Sequence, residues 1–192
     1  MEIDIRSFIR VNVTDSCSVW NIISSQLILS ASLNTNCFFS ITKFVEYECL
    51  FKPRSSTVSI ELELINKLRV LISAKSFSVH SLTISDLQEI EFLQRRKRLG
   101  LGELSSIAFA KRTNLAFLTD DKNARKLAKE ILGREKIQTT PHLLGWLFVN
   151  QSLSDSDLEP IISDHIYFRR PLEKYYREVW EESLKIRLLF RS

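Results

Sequence analysis

Short runs of β-branched and aromatic residues alternate with segments of helical period along most of this chain. Such runs predict strands, and apolar residues that recur every three to four positions predict helices. The predicted strands are residues 10–14, 38–42, 77–80, 115–119 and 137–140. Because helical segments separate the predicted strands, we expect an α/β fold of three α/β/α layers, with a central parallel sheet.

Capping patterns and glycines set the expected helix boundaries. The predicted helices are residues 19–33, 43–50, 58–73, 85–98, 103–112 and 122–132, and a further helix begins at Pro141. Ser85-Asp86-Leu87-Gln88 has the pattern of a capping box, which indicates a helix start. Gly100 and Gly102 then interrupt the helical pattern, and Gly133 ends the helix before it. Residues 52–56 predict a loop.

The last part of the chain, residues 151–192, differs from residues 1–150 because no further strand is predicted there. Its first helix has an apolar face formed by Leu158, Ile161, Ile162 and His165. Residues 172–190 predict a second helix, on which Tyr176 and Trp180 share one face. We therefore expect a C-terminal helical extension that packs on the preceding domain or docks on a partner.

Composition favours a soluble protein of the cytoplasm. None of the apolar runs in the 192 residues approaches the twenty or so that span a bilayer. The N-terminal residues lack the basic and then apolar pattern of a signal peptide. The three cysteines have no Cys-x-x-Cys spacing, which indicates reduced thiols. We expect no membrane partner.

Acidic residues stand where predicted strands end or helices begin. They are Asp15, Glu48, Glu103, Asp120 and Asp121. The carboxyl ends of parallel strands share one edge of a sheet, so these side chains are expected to form one acidic pocket. Carboxylates that crowd together require a cation, and oxygen ligands suit Mg²⁺ or Mn²⁺.

Simpler structural roles also suit these positions. Asp15 and Asp121 each precede a predicted helix and would serve as N-caps. Glu103 in a first helical turn is favoured by the helix dipole. Ser16 and Thr119 would support the carboxylates or a metal-bound water, and they suit strand-end turns equally well.

A basic cluster precedes the Gly-x-Gly-Glu segment. It consists of Arg95, Arg96, Lys97 and Arg98, in a chain whose net charge is +4. Most basic runs are solvated helix faces. Beside an acidic metal site, however, the same charges would bind the phosphates of a nucleic acid.

Three segments resemble the motifs of the PIN domain, a family of metal-dependent nucleases. VTDSCSVWN resembles the first strand and its acidic residue, and VEYECL resembles the second acidic motif. GLGELSSIAFAKRTNLAFLTDDKNARKLAKE resembles the third and fourth motifs, joined at ordinary spacing. The resemblance covers about Val11 to Trp146 and leaves out the C-terminal extension.

The resemblance implies a PIN-like fold for residues 1–150 and assigns roles to the acidic positions. The implied catalytic residues are Asp15, Glu48, Glu103 and Asp121, and the implied metal ligands are Asp15, Glu103, Asp120 and Asp121. Asp121 matches the family's Thr-x-Asp pattern, but the choice between Asp120 and Asp121 stays open. Glu46 and Glu61 compete with Glu48 for the second position.

The function that the resemblance implies is a Mg²⁺- or Mn²⁺-dependent endoribonuclease. Compact bacterial PIN proteins are commonly the toxins of toxin–antitoxin pairs, so tRNA, rRNA or mRNA is the expected substrate. An antitoxin protein and a second copy of the chain are the candidate protein partners. The alternatives are a non-catalytic RNA-binding module and a structure-specific DNA nuclease. A phosphoacceptor receiver domain fits less well, because Asp15 is not part of an acidic pair.

Overall fold

Five short strands form one parallel sheet. The computed structural model describes residues 4–52 and 59–189. The strands are β1 (Val11–Thr14), β2 (Phe38–Thr42), β3 (Phe77–His80), β4 (Ala116–Leu118) and β5 (Ile137–Gln138). Their order is β3-β2-β1-β4-β5, and every neighbouring pair is parallel. The expected α/β class and central parallel sheet are confirmed.

Helices cover both faces of this sheet and complete the three layers. The α-helices are α1 (Ser16–Ser24), α2 (Gln26–Asn34), α3 (Lys43–Leu50), α4 (Ser59–Ser73), α5 (Ile84–Arg96), α6 (Leu101–Thr113), α7 (Lys122–Leu132), α8 (Thr140–Val149), α9 (Leu158–Tyr167) and α10 (Glu173–Leu189). Two 3₁₀ turns, Arg134–Lys136 and Asp155–Asp157, precede β5 and α9. Within the described ranges, no helix is both long and apolar enough to cross a bilayer.

The two faces of the sheet bury two separate cores. Phe39 and Leu118 lie in the core that packs against α1, α2, α4 and α8 to α10. Val13 and Phe117 lie in the core on the opposite face, against α5 to α7. Successive strand residues point to opposite faces, so the apolar strands fill both cores at once. Burial of one such side chain stabilises the fold by about 1.5–3 kcal/mol.

Two helix boundaries differ from the expectations. The helix predicted over residues 19–33 is two helices, α1 and α2, because Ser25 takes an extended conformation with φ −111° and ψ 124°. The capping box predicted at Ser85 lies two residues earlier. Asp86 N donates to Thr83 Oγ1 at 3.2 Å, and Thr83 N donates to Asp86 Oδ2 at 2.8 Å. Both positions satisfy the sequence pattern, but Thr83 has the extended backbone of an N-cap.

The structure also shortens several predicted elements by one or two residues. The last predicted strand, residues 137–140, keeps only Ile137–Gln138, because Thr139 caps α8 and Thr140 begins it. Parts of three predicted elements lie outside the described residues. They are most of the loop predicted at 52–56, the first residue of the helix predicted over 58–73 and the last residue of the helix predicted over 172–190.

The C-terminal helices pack on the sheet domain through α8. Tyr176 is fully buried, and its hydroxyl lies 2.8 Å from His165 Nε2. Val179 and Ile5 both contact the position of Gly145, where an added Cβ would lie 3.1 Å from Val179 Cβ. Trp180 is partly buried and donates from Nε1 to Asp155 Oδ1 at 3.1 Å. Tyr176 is therefore a core residue of the extension and cannot anchor a partner on the surface.

Candidate functional site

The carboxyl ends of the strands bring the predicted acidic residues to one edge of the sheet. Asp15 follows β1 directly, and Asp120 and Asp121 come just after β4, which pairs with β1. Glu48 lies on α3, which begins where β2 ends, and Glu103 lies in the first turn of α6. We call the sheet edge that carries these five side chains the acidic pocket.

Asp15 is the most buried of these carboxylates. It is fully buried and caps α1 by accepting a hydrogen bond from Ser18 N at 2.9 Å. Its other oxygen accepts a hydrogen bond from the Thr119 hydroxyl. Burial raises the pKa of Asp15 to about 7, and the charge of Asp120 adds to this increase although the hydrogen bonds oppose it. Burial therefore favours the protonated carboxyl of Asp15, and only a nearby positive charge would restore the ionised form.

Asp120 is bound on all sides by protein donors. Its carboxylate accepts hydrogen bonds from Asn21 Nδ2 at 2.7 Å and Thr140 N at 2.9 Å. The hydroxyls of Ser18 and Thr140 also donate to it. Asp120 thus joins β4 to α1 and α8. Most of its hydrogen-bonding capacity is already used, so the geometry gives Asp120 an anchoring role.

Asp121 is more accessible as a ligand. Its Oδ1 caps α7 by accepting a hydrogen bond from Ala124 N at 2.6 Å, and its own N donates to Thr119 Oγ1 at 3.1 Å. Among the described residues, its Oδ2 accepts no hydrogen bond. Of the two neighbouring carboxylates, Asp121 therefore accepts fewer hydrogen bonds from the described residues than Asp120.

Glu48 connects the start of α1 to the start of α6. Its carboxylate accepts hydrogen bonds from Ser16 Oγ and from Gly102 N, each at 3.1 Å. A Cβ added to Gly102 would overlap this carboxylate, so the backbone approaches this closely only because residue 102 is glycine. The rival Glu46 instead pairs with Lys43 at 2.7 Å.

Glu103 faces two other members of the acidic pocket. Burial raises its pKa, and the negative charges of Glu48 and Asp121 raise it further. Three carboxylates from α3, α6 and the end of β4 therefore share one electrostatic environment. Like charges at such proximity repel each other unless a cation or protons neutralise them.

The acidic side chains share this edge without converging on one point. In residues 4–52 and 59–189, no three Asp, Glu, His or Cys side chains are grouped as the ligands of one metal ion. The hydroxyl and amide donors that surround Asp15, Glu48 and Asp120 occupy several of the oxygens. The donor set is nevertheless all oxygen, which is the chemistry that Mg²⁺ and Mn²⁺ prefer.

The structure adds contacts that the sequence pattern did not indicate. Asn21 and Thr140 hold Asp120, and the Gly102 amide holds Glu48. Asn21 and Thr140 lie 99 and 20 positions from Asp120, so local spacing gives no sign of either contact. The sequence pattern marks Gly102 as a helix breaker, but Gly102 lies within the first turn of α6, where its amide binds the Glu48 carboxylate.

The basic cluster borders the acidic pocket at the start of α7. Lys97 Nζ donates to Asn123 O at 3.1 Å, two residues beyond Asp121. Arg96 pairs with Glu130 at 2.9 Å, and Arg95 pairs with Glu91 at 2.5 Å. These are exposed ion pairs, so the two arginines are partly neutralised. The fourth member, Arg98, is exposed between α5 and α6.

The chain matches no family model, no curated protein and no solved structure.

Proposed function

We propose that this protein is a metal-dependent endoribonuclease that hydrolyses RNA phosphodiester bonds at the acidic pocket. One observation carries the proposal. Carboxylates from four separate segments of the chain lie together at the carboxyl edge of a parallel sheet, the edge where ligands bind in such folds. The negative charges of Glu48 and Asp121 raise the pKa of Glu103, and a cation between these side chains would relieve that repulsion.

The chemistry of these residues suits a hard divalent cation, although the described part of the chain does not group three of them around one point. Asp15, Glu103 and Asp121 would hold Mg²⁺ or Mn²⁺, and all three offer carboxylate oxygens. When bound, such an ion lowers the pKa of a coordinated water and stabilises charge on the leaving oxygen. Asp120 would not bind the ion itself. Its hydrogen bonds would fix the chain after β4 and so hold Asp121 in position.

The other residues of the pocket have positioning roles in this proposal. Thr119 orients Asp15 and fixes the Asp121 backbone through its single hydroxyl. Glu48, held by Ser16 and by the Gly102 amide, would orient the attacking water. Lys97, which donates to Asn123 O near Asp121, and the exposed Arg98 would bind the phosphates of the incoming RNA.

The test of catalysis compares the wild-type protein with Asp121→Asn. The wild type should cleave RNA oligonucleotides in Mg²⁺ or Mn²⁺, and EDTA should stop the reaction. Asparagine caps helices as well as aspartate does, so Asp121→Asn should keep the fold and lose cleavage. Cleavage that survives chelation, or an Asp121→Asn variant with the wild-type rate, would overturn the proposal. A DNA oligonucleotide of the same sequence in parallel reactions separates ribonuclease from deoxyribonuclease activity.

We further propose that this activity serves as the toxin of a toxin–antitoxin pair. The support is the resemblance of the acidic motifs to compact PIN nucleases. Expression of the wild-type protein in a bacterial host should arrest growth, whereas Asp121→Asn should not. Equal growth of both cultures, at equal protein levels, would contradict the toxin role and leave the nuclease proposal intact.

A further inference from the structure

A largely apolar pocket lies at the carboxyl edge of the sheet, beside the ends of β2 and β3. Its volume is about 450 Å³, within the range of sites that bind small ligands. Phe44 and Leu82 in its lining also pack against the core between the sheet and α5 to α7, which holds them in place. We call this cavity the α3–α5 pocket. It is lined by residues of α3, of the turn after β3 and of the first turn of α5, namely Lys43, Phe44, Tyr47, Ser81, Leu82 and Leu87.

Helix α3 connects this pocket to the acidic pocket. Tyr47 and Glu48 are consecutive residues of α3, and the Glu48 carboxylate accepts a hydrogen bond from Gly102 N at 3.1 Å. The strand order β3-β2-β1-β4 places the ends of β2 and β3 next to those of β1 and β4, which carry the acidic residues. Neighbouring strands are about 4.8 Å apart, so the two sites are roughly 10 Å apart along the edge. An RNA strand whose scissile phosphate lies at the acidic pocket therefore has a nearby nucleotide within reach of the α3–α5 pocket.

The lining of the α3–α5 pocket suits a flat, uncharged group. Its lysine, Lys43, already pairs with Glu46 at 2.7 Å, so the lining offers little charge of its own to an anion. Tyr47 is 51% exposed, and its ring offers an aromatic face for stacking. Among the described residues, the hydroxyls of Tyr47 and Ser81 have no hydrogen-bond partner. A nucleobase matches both properties, because it has an aromatic face and polar groups at its edge.

We propose that the α3–α5 pocket binds one unpaired base of the RNA substrate, stacked on Tyr47, close to the scissile bond. This proposal rests on the proposed nuclease function and defines its substrate class. Aromatic side chains bind unstacked bases of single-stranded RNA in this way, with little dependence on which base is bound. A base inside a duplex is not free to enter the pocket. The substrate is therefore RNA that is single-stranded beside the cleaved bond, and Tyr47 is a substrate-binding residue.

Cleavage of a set of single-stranded RNA oligonucleotides tests whether a base is bound. Each oligonucleotide carries one abasic nucleotide, at a different position on either side of the bond that the wild-type protein cleaves. At one position the missing base should raise KM about tenfold, the scale of one lost base–aromatic contact. The value of kcat should change much less, because the lost contact contributes to uniform binding. The absence of a KM increase at every position would overturn the proposal.

Substitutions of Tyr47 then test which side chain binds that base. Tyr47→Ala should raise KM for the unmodified RNA about tenfold and abolish the further effect of the abasic nucleotide. Tyr47→Phe keeps the ring and should keep a KM near that of the wild type. Tyr175→Ala is the matched control, because Tyr175 is 52% exposed and lies on α10, across the sheet from α5 to α7. A full abasic effect in Tyr47→Ala, or equal KM values for Tyr47→Ala and Tyr175→Ala, would overturn the role of Tyr47.

Two further outcomes separate this inference from its alternatives. A second copy of the chain is the rival occupant of an apolar pocket, and sedimentation velocity measures it. A dimeric wild type together with a monomeric Tyr47→Ala would assign the pocket to that contact and overturn the proposal. A wild-type protein that cleaves no RNA in Mg²⁺ or Mn²⁺ would remove the proposed function, and this inference with it. A wild type that cleaves every abasic oligonucleotide with an unaltered KM would remove the inference alone.

Discussion

Thr119 and Asp15 join the ends of two neighbouring strands through one hydrogen bond between buried side chains. The same hydroxyl accepts a hydrogen bond from Asp121 N at 3.1 Å. Thr119 therefore fixes two of the proposed metal ligands relative to each other. Thr119→Val keeps the shape and removes the hydroxyl. We expect Thr119→Val to lower the free energy of unfolding by about 1–3 kcal/mol. In kinetic assays, it should weaken Mg²⁺-dependent cleavage more than Thr119→Ser does.

Stability should depend on pH through Asp15. Its pKa in the folded protein is raised to about 7, so the folded state holds this proton more tightly than the unfolded chain. The resulting stabilisation is fully present below about pH 4 and is lost as pH rises to about 7, by roughly 4 kcal/mol at most. Urea unfolding in EDTA should show this decline for the wild type. Asp15→Asn should reduce this decline and leave the part that Glu103 contributes, because the pKa of Glu103 is also raised. An unchanged pH profile in the variant would contradict the assignment.

A divalent cation should stabilise the wild-type protein and not the ligand variants. Ions that bind only the folded state raise its free energy of unfolding by mass action. We expect Mg²⁺ or Mn²⁺ to raise the melting temperature of the wild type at pH 8. Asp15→Asn and Asp121→Asn should show little increase. A shift of equal size in all three proteins would place the ion elsewhere.

The two adjacent carboxylates should respond differently to the same substitution. Asp120→Asn places an amide among the donors of Asn21 and Thr140, and we expect it to destabilise the protein by about 1–3 kcal/mol. Asp121→Asn should melt near the wild-type temperature while losing cleavage. Calorimetry and cleavage assays on the pair decide which carboxylate anchors the fold and which acts in catalysis. The reverse pattern would exchange these roles.

Gly102→Ala should impair cleavage through Glu48. The added methyl group overlaps the Glu48 carboxylate and displaces it from Ser16. We expect a cleavage defect together with a loss of roughly 1–3 kcal/mol in stability. In a Glu48→Ala background the clash is absent, so the stability cost should shrink. Additive costs in this double-mutant cycle would show that Gly102 acts independently of Glu48.

Much of the fold follows from local pattern, and the pocket follows from topology. An apolar run marks each strand end, so the sequence alone places Asp15 and Asp121 at a common edge of the sheet. The division at Ser25 was not predicted, because serine is tolerated within helices as well as between them. The choice between Asp120 and Asp121 depended on side-chain direction, which Asn21 and Thr140 determine from distant parts of the chain.

Asn21 contacts both the acidic pocket and the C-terminal extension. Its side chain donates to Asp120, and its backbone oxygen lies 2.9 Å from His165 Nε2, which also contacts the Tyr176 hydroxyl. We therefore expect that proteolysis will not release the last two helices as an independent module. A chain cut before α9 would expose the buried face of α8 and leave Asn21 without its partner in α9. We expect residues 1–150 to lose cooperative unfolding when expressed alone, and the catalytic edge and the extension to melt in one transition.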